Sequence, residues 1–106
     1  MSRIVSVYAV FADEAEALRI GRAAVEEKLA ACVNVLGPCR SIYRWQGAVE
    51  EAEEVAAIFK TTADRAEALT ARIVELHSYD VPCVAVWAIG SAHPPYADWV
   101  GESVTG

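Results

Sequence analysis

The stretch Ser41–Thr62, SIYRWQGAVEEAEEVAAIFKTT, limits what this chain can fold into more than any other. Ser41 to Trp45 carries β-branched and aromatic side chains alternating between two faces, Gln46-Gly47 supplies a turn, and Val55 to Phe59 is an apolar run ending at Lys60. Together they predict a long β-hairpin. The segment between argues the other way: Val49 to Ala57 is rich in Ala and Glu, and helix propensity alone would wind it into a helix. Propensity is the weaker signal, since tertiary pairing overrides it. If both arms are extended, each outruns the usual strand of about 5–6 residues, so the tip overhangs its own core. An overhanging ladder leaves N–H and C=O groups without partners, and proteins cover such edges by pairing them. The hairpin is therefore expected to sew copies of the chain into a homo-oligomer.

The rest of the chain is read around that element. At 106 residues, 55% hydrophobic, the sequence has material for one compact domain spanning 1–106 and no room for two. Fifteen acidic against nine basic residues give a net charge of −6, which disfavours nonspecific contact with nucleic acid or an anionic membrane and inclines the surface toward cations. Met1 to Val5 moves straight into strand-like sequence without the apolar core of a signal peptide, and no run reaches membrane-spanning length, so a cytoplasmic protein is expected. Three cysteines, an odd number at scattered spacings, argue against a disulfide framework.

Arg3 to Phe11 is a continuous apolar run with β-branched residues, suited to a central strand. Asp13 opens a helix, with Glu16 three residues on in a capping-box arrangement and Leu18, Val25 and Leu29 forming an apolar stripe; the helix is expected to end near Ala31. Cys32 to Leu36 switches to strand composition, and Gly37-Pro38 interrupts or bends it. After the hairpin the pattern recurs. Asp13 to Leu18 is matched by Asp64 to Leu69, and Cys32 to Val35 by Cys83 to Val86, both at an offset of about 51 read from the sequence. The second helix places Leu69, Ile73 and Leu76 on one face and ends at His77, Ser78 to Pro82 is a loop, Cys83 to Ile89 is the fourth strand, and Tyr96 to Val100 is a short terminal element. Two β-α-β halves joined by a hairpin give an α+β, ferredoxin-like β-α-β-β-α-β sandwich: a four-stranded antiparallel sheet in the order 4-1-3-2, two helices on one face, and a protruding β2-β3 hairpin.

Four segments then carry a resemblance. Lys28 to Asn34 (KLAACVN), Ser41 to Gly47 (SIYRWQG), Phe59-Lys60-Thr61 and His77 to Pro82 (HSYDVP), in this order and spacing and with Tyr96 to Val100 beyond them, are similar to the CutA family of divalent-cation tolerance proteins over nearly the whole chain. The resemblance implies a ferredoxin-like subunit, a homotrimer packed through the long hairpin, a cytoplasmic location in bacteria, and a link to copper and other divalent cations. One departure stands out. Where the family commonly reads His-Pro-Tyr-Glu-Val-Pro-Glu, this chain has Asp80 for one glutamate and Cys83 for the other, so a carboxylate becomes a thiol.

The metal-ligand candidates are Cys32, His77 and Cys83, with Cys39 and the hairpin carboxylates Glu50, Glu51, Glu53 and Glu54 as further donors. Thiolate and imidazole suit copper or zinc, but no Cys-x-x-Cys or His-x-x-x-His spacing marks a preformed site. By the repeat, Cys32 and Cys83 begin opposite edge strands, so a site using both needs more than one subunit. Each candidate has a plainer role too: Cys32 as a small buried hydrophobe, His77 as a partner of the last helical carbonyls, the glutamates as a solvated or interface face. A second constellation, Tyr43, Trp45, Lys60 and Tyr79 with His77, reads as the wall of an inter-subunit cleft holding a small anion or metabolite, or as ordinary interface packing. That cleft supports a rival reading, a trimeric sensor resembling PII signalling proteins. No nucleophile elbow, phosphate loop or carboxylate pair suggests an enzyme, and His93, between Ala92 and Pro94, is expected to be exposed. The expectation is a homotrimeric divalent-cation tolerance protein that is not an enzyme, with copper or another divalent cation as ligand, its own copies as partners, and neither nucleic acid nor membrane among them.

Overall fold

The first strand owes its central place to an unbroken apolar run. In a computed structural model that describes residues 3–106, β1 (Ile4–Phe11) is buried along nearly its whole length and pairs antiparallel with a strand on each side. Met1 and Ser2, which the sequence reading runs into this strand, lie outside the described residues. The remaining elements are α1 (Glu14–Glu26), β2 (Cys32–Trp45), β3 (Ala48–Thr62), α2 (Ala66–Leu76), β4 (Val84–Ala88) and α3 (Pro94–Ser103). The sheet runs β2-β3-β1-β4, the expected ferredoxin-like order, with β2 and β4 at opposite edges.

Strand alternation sorts the two faces of the sheet. Val5, Val7, Ala9 and Phe11 of β1 and Val55, Ala57 and Phe59 of β3 meet Ala17, Ile20 and Ala24 of α1 and Leu69 and Ile73 of α2 in one core. Ser6 and Tyr8, with their register partners Lys60, Ile58, Trp87 and Ala85, point to the opposite face. One end of that second face is covered by α3, whose Val100 packs with Ile4, Ala31 and Val104; the sequence expectation of a short element at Tyr96–Val100 becomes a ten-residue helix. The other end stays open.

The segment whose propensity favours a helix is strand. β3 holds Glu50 to Val55 extended because each residue has a partner on β2, from Tyr43↔Glu50 to Pro38↔Val55. Gln46 and Gly47 close the hairpin, both with positive φ (49° and 83°), the pattern of a type I′ turn, where Gly47 carries no Cβ to clash. The last β1 rung on β3 is Phe11↔Val55, so Ala48 to Glu54 are paired only with β2. Seven residues at roughly 3.3 Å each put about 23 Å of hairpin beyond the body of the sheet. The molecule is accordingly elongated, 45 × 26 × 22 Å.

α1 departs from its predicted stripe. Leu18 is 54% exposed and Val25 38%, while Glu16, Ala17, Ile20, Gly21 and Ala24 are buried. The packing face is chosen for small size: a Cβ added to Gly21 would lie 2.8 Å from Val33 Cγ1, so the helix axis sits closer to β2 than a face of leucines allows. The helix also stops at Glu26, five residues before Ala31, because Lys28 takes a left-handed conformation (φ 60°) and starts a turn into β2. The stripe on α2 falls as expected, with Leu69 and Ile73 buried and Leu76 packed against the core. The repeat does not extend to helix capping: Asp13 caps α1 through its side chain, whereas α2 begins after Arg65 without a side-chain cap.

Candidate functional site at the root of the hairpin

The loop between α2 and β4 is held by three charged or polar side chains that the fold buries. Glu16 is 6% exposed; its Oε1 accepts the Ala12 N–H at 3.0 Å and its Oε2 the Ser78 N–H at 2.9 Å. The capping box is therefore offset: Asp13 accepts from the Glu16 N–H, but Glu16 reaches Ala12 and the distant loop rather than the Asp13 N–H. Burial works against the Glu16 carboxylate, yet the Ala12 and Ser78 hydrogen bonds outweigh it and hold its pKa below the usual 4.5.

His77 is next in this chain of contacts. Its ring stacks on Phe11 at a centroid distance of 5.1 Å, and Tyr79 tilts against it at 4.7 Å. Nε2 donates to Val10 O at 2.8 Å, while Nδ1 accepts the Tyr79 N–H at 3.0 Å, which sets the ring as the Nε2–H tautomer. Both nitrogens are committed inside the chain, so coordination through His77 requires one of these bonds to break. Tyr79 carries the linkage onward: its O–H donates to Glu54 Oε2 at 2.8 Å, across from the loop to β3. Burial and this carboxylate push the Tyr79 phenol well above its usual range.

These contacts form one wall of a groove of about 570 Å³ at the root of the overhang, between Tyr8 and Val10 on the sheet, Tyr43 and Trp45 on β2, Glu50 and Glu54 on β3, and the loop residues Tyr79 to Val81 with Cys83. The volume lies within the about 300–1,000 Å³ of small-molecule sites. Cys83 is exposed at its edge, its thiol pushed up by burial and by the Glu54 charge.

The structure brings together Tyr43, Trp45, Tyr79 and Cys83, with His77 directly behind Tyr79, and separates them from Lys60 and Cys32. Lys60 pairs in register with Ser6 and Cys32, six residues along β3 from Glu54, or about 20 Å at the strand rise, so it is not the charge of this groove. Cys32 opens β2 at the far end, with its thiol 3.6 Å from Tyr96 Oη on α3; burial and that contact push the Tyr96 phenol up to about 12. As the repeat predicted, Cys32 and Cys83 stand at opposite edges of the sheet, and among the described residues no three His, Cys, Asp or Glu side chains converge as a ligand set within one chain. Cys39, 4.0 Å from Ser41 Oγ, is half-buried, and all three thiols are free. His93 is exposed, as expected. Tyr8 and Glu16 were missed in the sequence. Tyr8 shares the parity of Ser6 in β1, which marks it as facing away from the helices; nothing local marks Glu16 as the anchor of a loop 62 residues away.

A ferredoxin-like chain with an overhanging hairpin and an aromatic groove at its root defines the class. Comparison with known proteins gives the family. The model of the CutA1 divalent ion tolerance protein family matches residues 5–103. The chain is 42% identical over 90 residues to the divalent-cation tolerance protein CutA of Thermus thermophilus, covering 85% of this chain and 87% of that one. It is 40% identical over 99 residues to a CutA homologue of Xenopus laevis, covering 93% of this chain and 66% of the relative. Among solved structures, the divalent ion tolerance protein CutA1 of Ehrlichia chaffeensis superposes with a TM-score of 0.95 at 29% identity, covering 100% of this chain and 99% of that one. The chain belongs to the CutA1 family of divalent ion tolerance proteins.

Proposed function

We propose that the chain works as a homotrimer assembled through the β2-β3 hairpin, and that it binds divalent cations, copper foremost, where the groove of one copy meets the next. The observation that carries this is the composition of the overhang and its root. Ile42 (71% exposed) and Val49 (64%) lie bare on one side of the hairpin, while the thiol Cys83 and the carboxylate Glu54 face the groove on the other. An apolar surface of that kind is covered by association, and a one-sided set of soft and hard donors is completed by whatever covers it. The Cys83 thiol must lose its proton to bind metal, which ties uptake to pH. The role is binding rather than catalysis. The cytoplasm is the compartment that suits three unpaired thiols, and fractionation of the producing cells checks that placement.

Isothermal titration of the reduced protein with copper tests the reading. Saturable uptake that weakens in Cys83→Ser supports it; uptake that never saturates contradicts it.

The groove volume favours a second reading, a sensor resembling the PII proteins that takes a small metabolite. A thermal shift with nucleotides or carboxylic metabolites, and none with metals, would favour this reading over the first.

A further inference from the structure

At the end of β3 far from the hairpin tip, a second cavity gathers polar groups that the chain leaves without partners. Its volume is about 320 Å³, and its wall is shared by Thr62, Asp64 and Arg65, where β3 runs into α2, and by Val104 and Thr105 at the end of α3. Thr62 lies eight residues along β3 from Glu54, about 26 Å at the strand rise, so this cavity is separate from the groove and from the overhang. Thr62 pairs in register with Ile4, and alternation turns it to the face that α3 covers, toward the cavity. The residue is 2% exposed, and its Oγ1 has no hydrogen-bond partner among the described residues. The neighbouring Thr61 hydroxyl, by contrast, donates to Leu29 O at 2.7 Å, and that of Thr105 to Gly101 O at 2.8 Å. A buried hydroxyl without a partner is costly, and a ligand that accepts from it removes the cost.

The charges beside Thr62 are uncommitted as well. Asp64 holds the place in the repeat that Asp13 holds before α1, yet α2 begins after Arg65 with no side-chain cap. Asp64 and Arg65 carry opposite charges on the same cavity wall, and neither enters an ion pair among the described residues. A simple anion would be drawn to Arg65 and to the positive end of an eleven-residue helix, but it would also meet the Asp64 carboxylate. A simple cation meets the reverse conflict. The ligand that satisfies both signs carries a carboxylate and an ammonium side by side. A volume near the lower end of the about 300–1,000 Å³ of small-molecule sites keeps that ligand small.

We infer that this cavity binds a small α-amino acid. Its carboxylate accepts from the Thr62 hydroxyl and the Arg65 guanidinium at the start of α2, its ammonium faces Asp64, and its short side chain lies against Val104. The inference is independent of both readings of the groove.

Glycine, L-alanine and L-serine are the probes, each titrated calorimetrically into the reduced, assembled protein, with propionate and ethylamine as controls that lack one charge each. The expected result is saturable binding of at least one amino acid at one site per chain, with both controls weaker by roughly tenfold, the loss of one charge-assisted contact. Asp64→Asn and Arg65→Gln should each weaken binding by a similar factor. Asp64 is exposed, Arg65 is half-buried and neither belongs to a core cluster, so both variants stay folded. Thr62→Val separates a ligand role from a structural one. It should weaken binding while leaving the urea midpoint unchanged or raised, because the hydroxyl it removes has no partner within the described chain. A lowered midpoint would assign the hydroxyl to the fold and overturn the inference. Absence of saturable binding by all three amino acids also overturns it, as does propionate binding as tightly as they do, or binding that Asp64→Asn leaves unchanged.

Discussion

Glu16 shows how one buried carboxylate can organise a loop from a distance. Its two oxygens accept backbone donors from Ala12 and Ser78, so Glu16→Gln, which turns one acceptor into a donor, leaves a buried N–H without a partner. The expected loss is about 1–3 kcal/mol at pH 7, read from urea unfolding. Because the folded pKa is held below 4.5, this stabilisation is complete above the unfolded value and fades as pH falls through the folded one. The gap between wild type and variant should therefore close under acid; a gap that widens below pH 4.5 would contradict the assignment. Cys83 titrates with the opposite consequence for function. Its thiol pKa is raised by burial and by Glu54, so copper uptake should strengthen as pH climbs from neutral into the alkaline range, and Cys83→Ser should flatten that dependence in a calorimetric series.

At the scale of elements, α1 is positioned by what it lacks. Gly21→Ala gains helix propensity worth about 1 kcal/mol but pushes a methyl into Val33, an overpacking that costs about 1–3 kcal/mol. The net expectation is a loss of about 1 kcal/mol in thermal or urea unfolding, and the double variant Gly21→Ala/Val33→Ala should lose less than the sum of the two singles. Additive losses would mean that the helix does not press on β2. This contact also shows what the sequence could and could not convey. The unbroken apolar run of β1 and the Gln46-Gly47 turn are local signals, and both predicted elements formed. The face of α1 was misread because apolarity was weighed and size was not; the close approach that makes Gly21 and Ala17 the packing residues is a relation between helix and sheet. The groove was half legible. Tyr43, Trp45 and Tyr79 came forward through their motifs, while Lys60 was grouped with them because short motifs carry no distance, and the strand rise separates it from Glu54. Glu54 is one of four glutamates in a run, and its burial and its pairing with Tyr79 distinguish it.

The whole molecule is a compact body with a long projection whose exposed side chains are unlike those of a solvated arm. Beyond Phe11↔Val55 the hairpin has no third strand, yet it carries Ile42, Tyr43, Trp45 and Val49 at exposures of 38–71%. Replacing Ile42 and Val49 with Glu should leave the subunit folded, since neither contributes to its core, and should shift the assembly toward monomer in analytical ultracentrifugation at micromolar concentration. The account's central claim, a symmetric trimer with fixed cation sites, is tested most directly by native mass spectrometry of the reduced protein with and without copper. The account predicts a trimer that takes up a whole number of copper ions per three chains and then saturates. A monomeric mass, or a trimer that accumulates copper without a defined stoichiometry, would contradict it.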